Sequence, residues 1–477
     1  MAEQSLKNKT VKGVVWSSVE RFSVQGVQFL VMLIIARILT PKDYGLIGML
    51  AIFLAVAQSL IDSGFSQALI RKQDRTEVDN NTVFYFNTVV SIVIYAIFYL
   101  SAPFIALFFN EPSLCLILRI LGLVIIINGL AVVQRALFTI DINFKDQTKA
   151  TLIAALLSGV LGIYMAYNGK GVWALVFQQL SNAFLCTTML WIFSKWRPRL
   201  QYSWMSFQIM FNFGSKLMLS GLLNTLYNNI HQLVIGKFFN ATSLGFYSRA
   251  QQFANLPSSS LTEVLQRVLY PVLCKIQDDK EHYREVSRKF LRISVFVIFP
   301  IMSILAGISD PLVLLLLGEK WHYSATLLKP LCFAMMLYPV HALNLNAITV
   351  IGRSDLFLKL EIIKKIIGIV VLVLSIPFGV IGICYGTLVG SIIGLYVNTY
   401  YSGREVGYGL MNQVKDILPI LLMSIVIYIL SSIVCIIISN NLWIAIVVSL
   451  FVGIVVCCLF CLFNKFDEIS YIKMLIQ

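Results

Sequence analysis

The stretch ARILTPKDYGLIGML, residues 36–50, is a polar turn between two apolar runs, and its outline recurs 200 residues later as GKFFNATSLGFYSRA, residues 236–250. Arg37 answers to Lys237, Leu39 to Phe239, Gly45 to Gly245 and Ile47 to Tyr247. Each flanking run is long enough for one helix to cross the roughly 30 Å hydrocarbon core of a bilayer. Lipid offers no partner to free backbone groups, so such runs must be helical. The repeated turn predicts a tandem repeat of spanning helices.

Composition agrees. Of 477 residues, 58% are hydrophobic and 13% charged, with mean hydropathy +0.83, whereas a soluble domain carries about a quarter charged residues. Apolar runs and turn-like breaks place fourteen helices, at about 12–36, 44–70, 82–109, 113–138, 148–168, 172–194, 213–238, 243–272, 288–308, 324–351, 355–377, 379–401, 414–438 and 442–463. The start, MAEQSLKNKTVKGVVW, is polar and basic, with no small-residue cleavage site after the first apolar run. It reads as a cytoplasmic tail leading into a retained helix. The nine cysteines are scattered, mostly inside apolar runs, and read as small buried hydrophobes.

With both termini in the cytoplasm, the inner segments hold twenty-two Lys and Arg and the outer loops only five: Arg37, Lys42, Lys170, Lys237 and Lys320. That asymmetry is an orientation signal, so the net charge of +14 needs no nucleic acid. At the 200-residue offset helices 1 and 2 match helices 7 and 8. An even repeat of six helices leaves both copies in one orientation, related by an axis along the membrane normal. The expected fold is all-α and integral to the membrane: an N-lobe over 1–200, a C-lobe over 201–405, and two further helices with a cytoplasmic C-terminus over 406–477.

Beyond those counted on either side, ten of the 37 Lys and Arg remain inside the assigned helices. At mid-bilayer each costs about 2.5–3.5 kcal/mol on the permissive insertion scale. Arg119, Arg292 and Lys329 are close enough to helix ends to snorkel. Arg21 is not: with Ser17, Gln25 and Gln28 it makes one polar stripe on helix 1, roughly 14 Å deep counted from residue 12. Helix 7 repeats the design with Lys216, Ser220, Asn224, Tyr227, Asn228 and His231. A polar stripe must face protein or water, and the two repeat-equivalent stripes are expected to line one cavity between the lobes. Arg249, Arg267, Arg135 and Lys364 add cations, while Asp62 and Glu263 are carboxylates available for ion coupling. Glu263 with Arg267, and Glu361 with Lys365, also have the spacing of simple ion pairs along a helix. A cationic cavity calls for an anionic passenger, and the planar fork of Arg suits phosphate.

What is missing narrows the class further. There is no G-x-x-x-x-G-K-[ST] loop for ATP, no His/Cys/carboxylate cluster with metal spacing and no nucleophile–base motif. The chain reads as a non-enzyme without cofactor or metal.

The opening VVWSSVERFSVQGVQFLVMLIIARILTPKDYG (14–45), DSGFSQALIRK (62–72) and LGFYSRAQQFANLPSSSLTEVLQRVLYPVLCKIQDD (244–279) resemble Wzx-type polysaccharide exporters, the lipid-linked oligosaccharide flippases. Tyr247, Arg249, Pro257 and Pro271 stand as in that family. The family lies within the multidrug, oligosaccharidyl-lipid and polysaccharide exporters. The resemblance implies a MATE-like, V-shaped pair of six-helix bundles working by alternating access. It implies oligosaccharide on undecaprenyl pyrophosphate moved from the inner to the outer leaflet of a bacterial cytoplasmic (inner) membrane, for O-antigen, capsule or exopolysaccharide. The headgroup would be held by Arg21, Lys216 and Arg249, with Arg135, Arg267 and Lys364 behind them. Membrane lipids, a polysaccharide polymerase and chain-length machinery are the partners so implied. A multidrug or cation antiporter of the MATE type is the alternative, and a non-transporting membrane scaffold a further one. An acidic, aromatic-lined cavity would favour the antiporter.

Overall fold

The computed structural model describes the backbone of residues 2–62 and 64–464, with side chains for all of these except 2–15, 17, 18, 62, 268, 463 and 464. Among the described residues the secondary structure is helical throughout. The chain divides into two compact units, residues 1–245 and 246–477.

The first unit holds α1 (Ala2–Ile38), α2 (Pro41–Asp62), α3 (Phe65–Arg71), α4 (Glu77–Phe109), α5 (Ser113–Leu121), α6 (Leu123–Gly129), α7 (Val132–Ile140), α8 (Phe144–Tyr167), α9 (Val172–Phe193), α10 (Trp204–Asn228) and α11 (Ile230–Phe238). Next, α12 (Ala241–Lys275) begins at its edge and runs into the second unit. There follow α13 (Lys280–Gly307), α14 (Ser309–Leu317), α15 (His322–Met336), α16 (Tyr338–Val350), α17 (Ser354–Ser375), α18 (Gly379–Val406), α19 (Leu410–Ile437) and α20 (Leu442–Asn464). The helices over 204–238 therefore pack with the first 200 residues. In the second unit α19 and α20 pack on α13.

Among the described residues, eleven helical stretches are long and apolar enough to cross a membrane. One of them, 354–406, is two helices, α17 and α18, joined by a single 3-10 turn at Ile376–Phe378. Absent from the eleven are the helical runs over 204–238 and 241–275, which carry the polar side chains picked out as helices 7 and 8. Adding these two to the twelve apolar helices gives fourteen of membrane length, the expected number. Helix 4 is not one rod: it breaks at Gly122 and again at Leu130–Ala131 into α5, α6 and α7. Helix 10 likewise breaks at Leu337 into α15 and α16, and helix 7 at Asn229 into α10 and α11.

The repeated turn is repeated in space. At the first copy α1 ends at Ile38 and α2 starts at Pro41; at the second α11 ends at Phe238 and α12 starts at Ala241. Each restart is capped by a side chain, which satisfies an orphan backbone N–H. Thr40 Oγ1 accepts from the Asp43 N–H, and Asn240 Oδ1 accepts from the Ser243 N–H at 2.8 Å. The two turns also touch reciprocally. A Cβ on Gly45 would overlap the Ala241 carbonyl, and one on Gly245 would overlap the Pro41 carbonyl. Residue 45 meets 241 as 245 meets 41, the signature of a twofold-related contact. At the other end of α2, Gly64 and Gly214 meet backbone to backbone, a Cβ on Gly64 coming 2.6 Å from the Gly214 oxygen. Small residues permit such approach where lipid gives no hydrophobic drive between helices. The nine cysteines are free thiols, and Cys458 and Cys461, in C-x-x-C spacing that the sequence reading passes over, both lie on α20.

Backbone cannot yield as a flexible side chain does. Gly45→Ala and Gly245→Ala are each expected to lower stability by about 1–3 kcal/mol, the cost of overpacking a close contact. Gly26→Ala on α1, with nothing within 4 Å of its Cβ position, should not. Thermal unfolding of the detergent-solubilised protein measures all three, and unchanged midpoints in the first two would rule out the tight contact.

Candidate functional site

One exposed face of α1 carries the first candidate residues. The helix's exposed apolar side chains Val19, Phe22, Leu30 and Ile34 spread over a sector of about 120° at 100° per residue. Arg21 and Gln28 are exposed too, but stand about 180° around the helix from Leu30. Gln25, half-buried, lies beside them, and the sector between is taken up by packing on α8. So α1 has two open faces, one apolar and one polar. Counted back from Ile38 where the helix ends, Arg21 stands about 25 Å along the axis. That places it near the mouth of a 30 Å core, shallower than the sequence count, which started from residue 12 although the helix begins at Ala2. Gln28 is about 15 Å from Ile38, at mid-depth.

The stripe of helix 7 is broken at its deep end. Lys216, Asn224 and Asn228 are exposed on α10, whose only buried side-chain positions are Met210 and Gly214. The helix stops at Asn229, whose side-chain amide donates to the Thr225 carbonyl at 2.8 Å. His231, half-buried, stands past the break on α11. Discontinuous helices free backbone groups at membrane depth and are tolerated where they line a cavity.

Arg135 is half-buried on α7. Its guanidinium reaches Asn128 Oδ1 at 3.5 Å, and the Asn128 amide donates to Gln58 Oε1 at 2.8 Å. Glu20 of α1 accepts from Thr151 Oγ1 at 3.0 Å and faces Arg135. Hence Glu20 turns toward α8 and α7, away from the Arg21 face. Gln58, Asn128, Glu20 and Thr151 form a polar centre within the first unit that reading for cations alone misses; a scan for mid-helix amides would have found it. Asp62 is the last residue of α2, and its side chain lies outside the described residues.

In the second unit Arg249 and Glu263 are half-buried on α12, while Arg267 is exposed one turn beyond Glu263. Lys364 pairs with Glu361 at 2.5 Å, so the carboxylate serves Lys364, three residues on, as well as lying within reach of Lys365. Lys329 is paired with Asp310 at 2.7 Å. Arg119 donates to the Tyr99 carbonyl and stacks on its ring. A cavity of about 480 Å³ opens between the start of α13 and the start of α19, lined by Glu281, Arg284, Glu285, Arg288, Tyr408, Asn412, Lys415 and Asp416. Three cations there face three carboxylates, which gives it no preference for an anion. Asp416 takes a two-pronged bond from Arg288 (2.7 and 2.8 Å) and the Tyr408 hydroxyl at 2.8 Å. Burial and the neighbouring carboxylate push the Tyr408 hydroxyl pKa up, so it stays a donor.

Long apolar helices, some of them broken, and polar helix faces define a multi-pass helical membrane protein. Solved structures place its fold. The lipid II flippase MurJ, in its inward closed conformation, superposes with a TM-score of 0.76 over 95% of this chain and 99% of that one, at 14% identity. An inward-facing MATE family multidrug resistance transporter gives 0.62 over 82% and 98%, at 15% identity. The fold is MATE-like. Residues 34–326 match the model of the polysaccharide biosynthesis protein family, more than half of the chain, and the protein belongs to that family. It is 26% identical over 399 residues to the lipopolysaccharide biosynthesis protein WzxC of Escherichia coli K12, covering 83% of this chain and 81% of that one. To the teichuronic acid biosynthesis protein TuaB of Bacillus subtilis 168 it is 24% identical over 355 residues, 74% and 73% of the two chains.

Asp416→Ala strands the Arg288 and Tyr408 donors and should lower stability by about 1–3 kcal/mol. Asp416→Asn, which keeps one acceptor, should cost less. Chemical unfolding of the two variants checks the order, and equal stabilities would refute it.

Proposed function

We propose that the protein is an alternating-access flippase that carries an oligosaccharide on undecaprenyl pyrophosphate from the inner to the outer leaflet of a bacterial cytoplasmic membrane, for surface polysaccharide assembly. The observation that carries this reading is the second open face of α1, where Arg21 and Gln28 are exposed opposite the lipid-facing side chains. Such a face is costly unless water or a polar passenger fills it. Membership of the polysaccharide biosynthesis family and the likeness to a lipid flippase fold support the passenger's class. The surplus of basic residues on one side of the chain supports cytoplasmic termini.

The depths suggest a division of labour in the first unit. Arg21 and Lys216 lie about 25 and 33 Å from the far ends of their helical runs, at the cytoplasmic mouth. There they would meet the pyrophosphate, whose oxygens accept charge-assisted hydrogen bonds. Gln25, Gln28, Asn224, Asn228 and His231 are deeper and uncharged donors or acceptors, suited to sugar hydroxyls. Arg135, bonded to the Asn128 amide and facing Glu20, stands behind them. In the second unit Arg249, Arg267 and Lys364 are the candidates for the same chemistry, and Glu263 and Asp62 remain the carboxylates proposed for ion coupling. No bond is made or broken, so the protein acts as a carrier rather than an enzyme. Polymerase and chain-length machinery would receive the product.

Proteoliposomes holding a fluorescent undecaprenyl-pyrophosphate oligosaccharide, read with an impermeant quencher, test this directly. Wild type should move the label. Arg21→Ala and Lys216→Ala should each weaken apparent affinity tenfold to a hundredfold, on the order of one charge-assisted hydrogen bond, and Arg21→Lys should fall between. Wild-type behaviour in both alanine variants would remove these cations from the site. An inert wild-type protein would turn the reading toward drug antiport.

A further inference from the structure

The cavity between the starts of α13 and α19 holds more charged groups than its own ion pairs use. On its floor Asp416 is committed to Arg288 and to the Tyr408 hydroxyl. At its rim Glu285 is bonded to Lys289 at 2.6 Å. That leaves Glu281 and Arg284 on α13, and Asn412 and Lys415 on α19. All four are exposed, and among the described residues none of their side chains has a hydrogen bond or ion pair. The Arg288–Asp416 pair ties the two helix starts together, so these four groups are held around about 480 Å³ of open space.

Depth says what meets that space. The last residue of α19 is Ile437, and the polar Ser439, Asn440 and Asn441 follow. Counted back from Ile437, Lys415 stands about 33 Å and Asn412 about 38 Å along the axis, beyond a core of about 30 Å and level with the headgroups. On α13, Arg284 stands about 35 Å from the helix end at Gly307. The face of α19 that carries Lys415 is otherwise apolar. Leu418, Leu422, Val426 and Ile429 are exposed, and all lie within about 60° of Lys415 around the axis at 100° per residue. They make an apolar track from the cavity into the hydrocarbon. Charges at headgroup level with apolar side chains directly below them match the order of groups in a phospholipid.

The uncommitted groups also select the headgroup. Two cations, Arg284 and Lys415, suit one phosphate diester. Glu281, one turn before Arg284, suits a positive group and repels a second negative one. A purely anionic headgroup would leave Glu281 facing like charge. A choline headgroup brings positive charge but no N–H to donate to the carboxylate, whereas a primary ammonium brings three.

We propose that this cavity binds a zwitterionic phospholipid whose headgroup ends in a primary ammonium. Its phosphate lies on Arg284 and Lys415, its ammonium on Glu281, and one acyl chain runs down the track past Leu418 and Leu422. The site is independent of what the protein carries. To test it, the full-length protein in detergent is titrated with dioleoyl phosphatidylethanolamine, phosphatidylglycerol or phosphatidylcholine, and native mass spectrometry reads the first lipid bound. Phosphatidylethanolamine should bind about twofold to fivefold tighter than either of the others, the size of one exposed ion pair. Arg284→Ala and Lys415→Ala should each weaken its binding by a similar factor. Glu281→Gln should weaken phosphatidylethanolamine alone and bring it level with phosphatidylglycerol. Lys170→Ala, an exposed cation on the turn between α8 and α9, should change nothing. If phosphatidylglycerol or phosphatidylcholine binds wild type as tightly as phosphatidylethanolamine, the proposal fails. A preference that survives Glu281→Gln, or binding untouched by both cation variants, would put the lipid elsewhere and overturn the site.

Discussion

Hydrocarbon supplies no hydrogen bonds, and that one constraint orders the whole structure. It requires the chain to cross as helices and leaves close backbone contact and polar pairing to hold helices together. It also gives every exposed polar side chain within a span a reason to be there. Arg21 is informative only because Leu30, half a turn round the same helix, marks where lipid is. The same constraint explains the reciprocal meeting of Gly45 with Ala241 and Gly245 with Pro41. With no hydrophobic drive between helices, contact at that end relies on the absence of two side chains.

A repeat built under this constraint can conserve its frame while its chemistry diverges. The turns at 39–40 and 239–240 agree in helix ends, caps and contacts. Helices 4 and 10 are both broken spans, restarting at Val132 and at Tyr338. What changed is the side chain just past the break: a permanently charged Arg135 bonded to a neutral amide in one repeat, a titratable His341 bonded to an amide and a hydroxyl in the other. Breaking a helix frees backbone groups at depth, so both positions already stood where polar company was available. Divergence there costs less than placing a new polar group on an intact span.

Those particulars separate what was legible in the sequence from what was not. Helix ends at the repeated turn were legible because Pro41, Gly45 and Gly245 are strong local signals. The breaks at Leu130–Ala131 and Leu337 were not, since Gly129 and Pro339 each stand singly in an apolar run, nor was that at Asn229, whose polar neighbours read as one continuous helix face. Arg21, Gln25 and Gln28 could be grouped by 3.6-residue spacing along one helix. His341 could not, because its partners lie 50 and 57 residues away on α18; alone, it read as one of four isolated histidines. Glu20 adjoins Arg21 in sequence but stands about 100° around the helix, an angle that carries it to Thr151 and the Arg135 centre.

Counting cations in spans, finally, does not weigh them. Lys364 looked equivalent to Arg21 in sequence, but it is bonded to Glu361. An anion arriving there must share or displace a carboxylate already in place, and the gain is reduced by whatever the pair loses. Arg135 is bonded to the Asn128 amide and faces Glu20, so its charge too is partly answered. Arg21 and Lys216 are exposed near the mouth, where the dielectric is higher and each contact correspondingly weaker. On the flippase reading proposed above, strong attraction at depth would trap a headgroup that has to leave again. Within the first unit, on that reading, weaker cations at the entrance and amides further in would let a charged headgroup pass without being held.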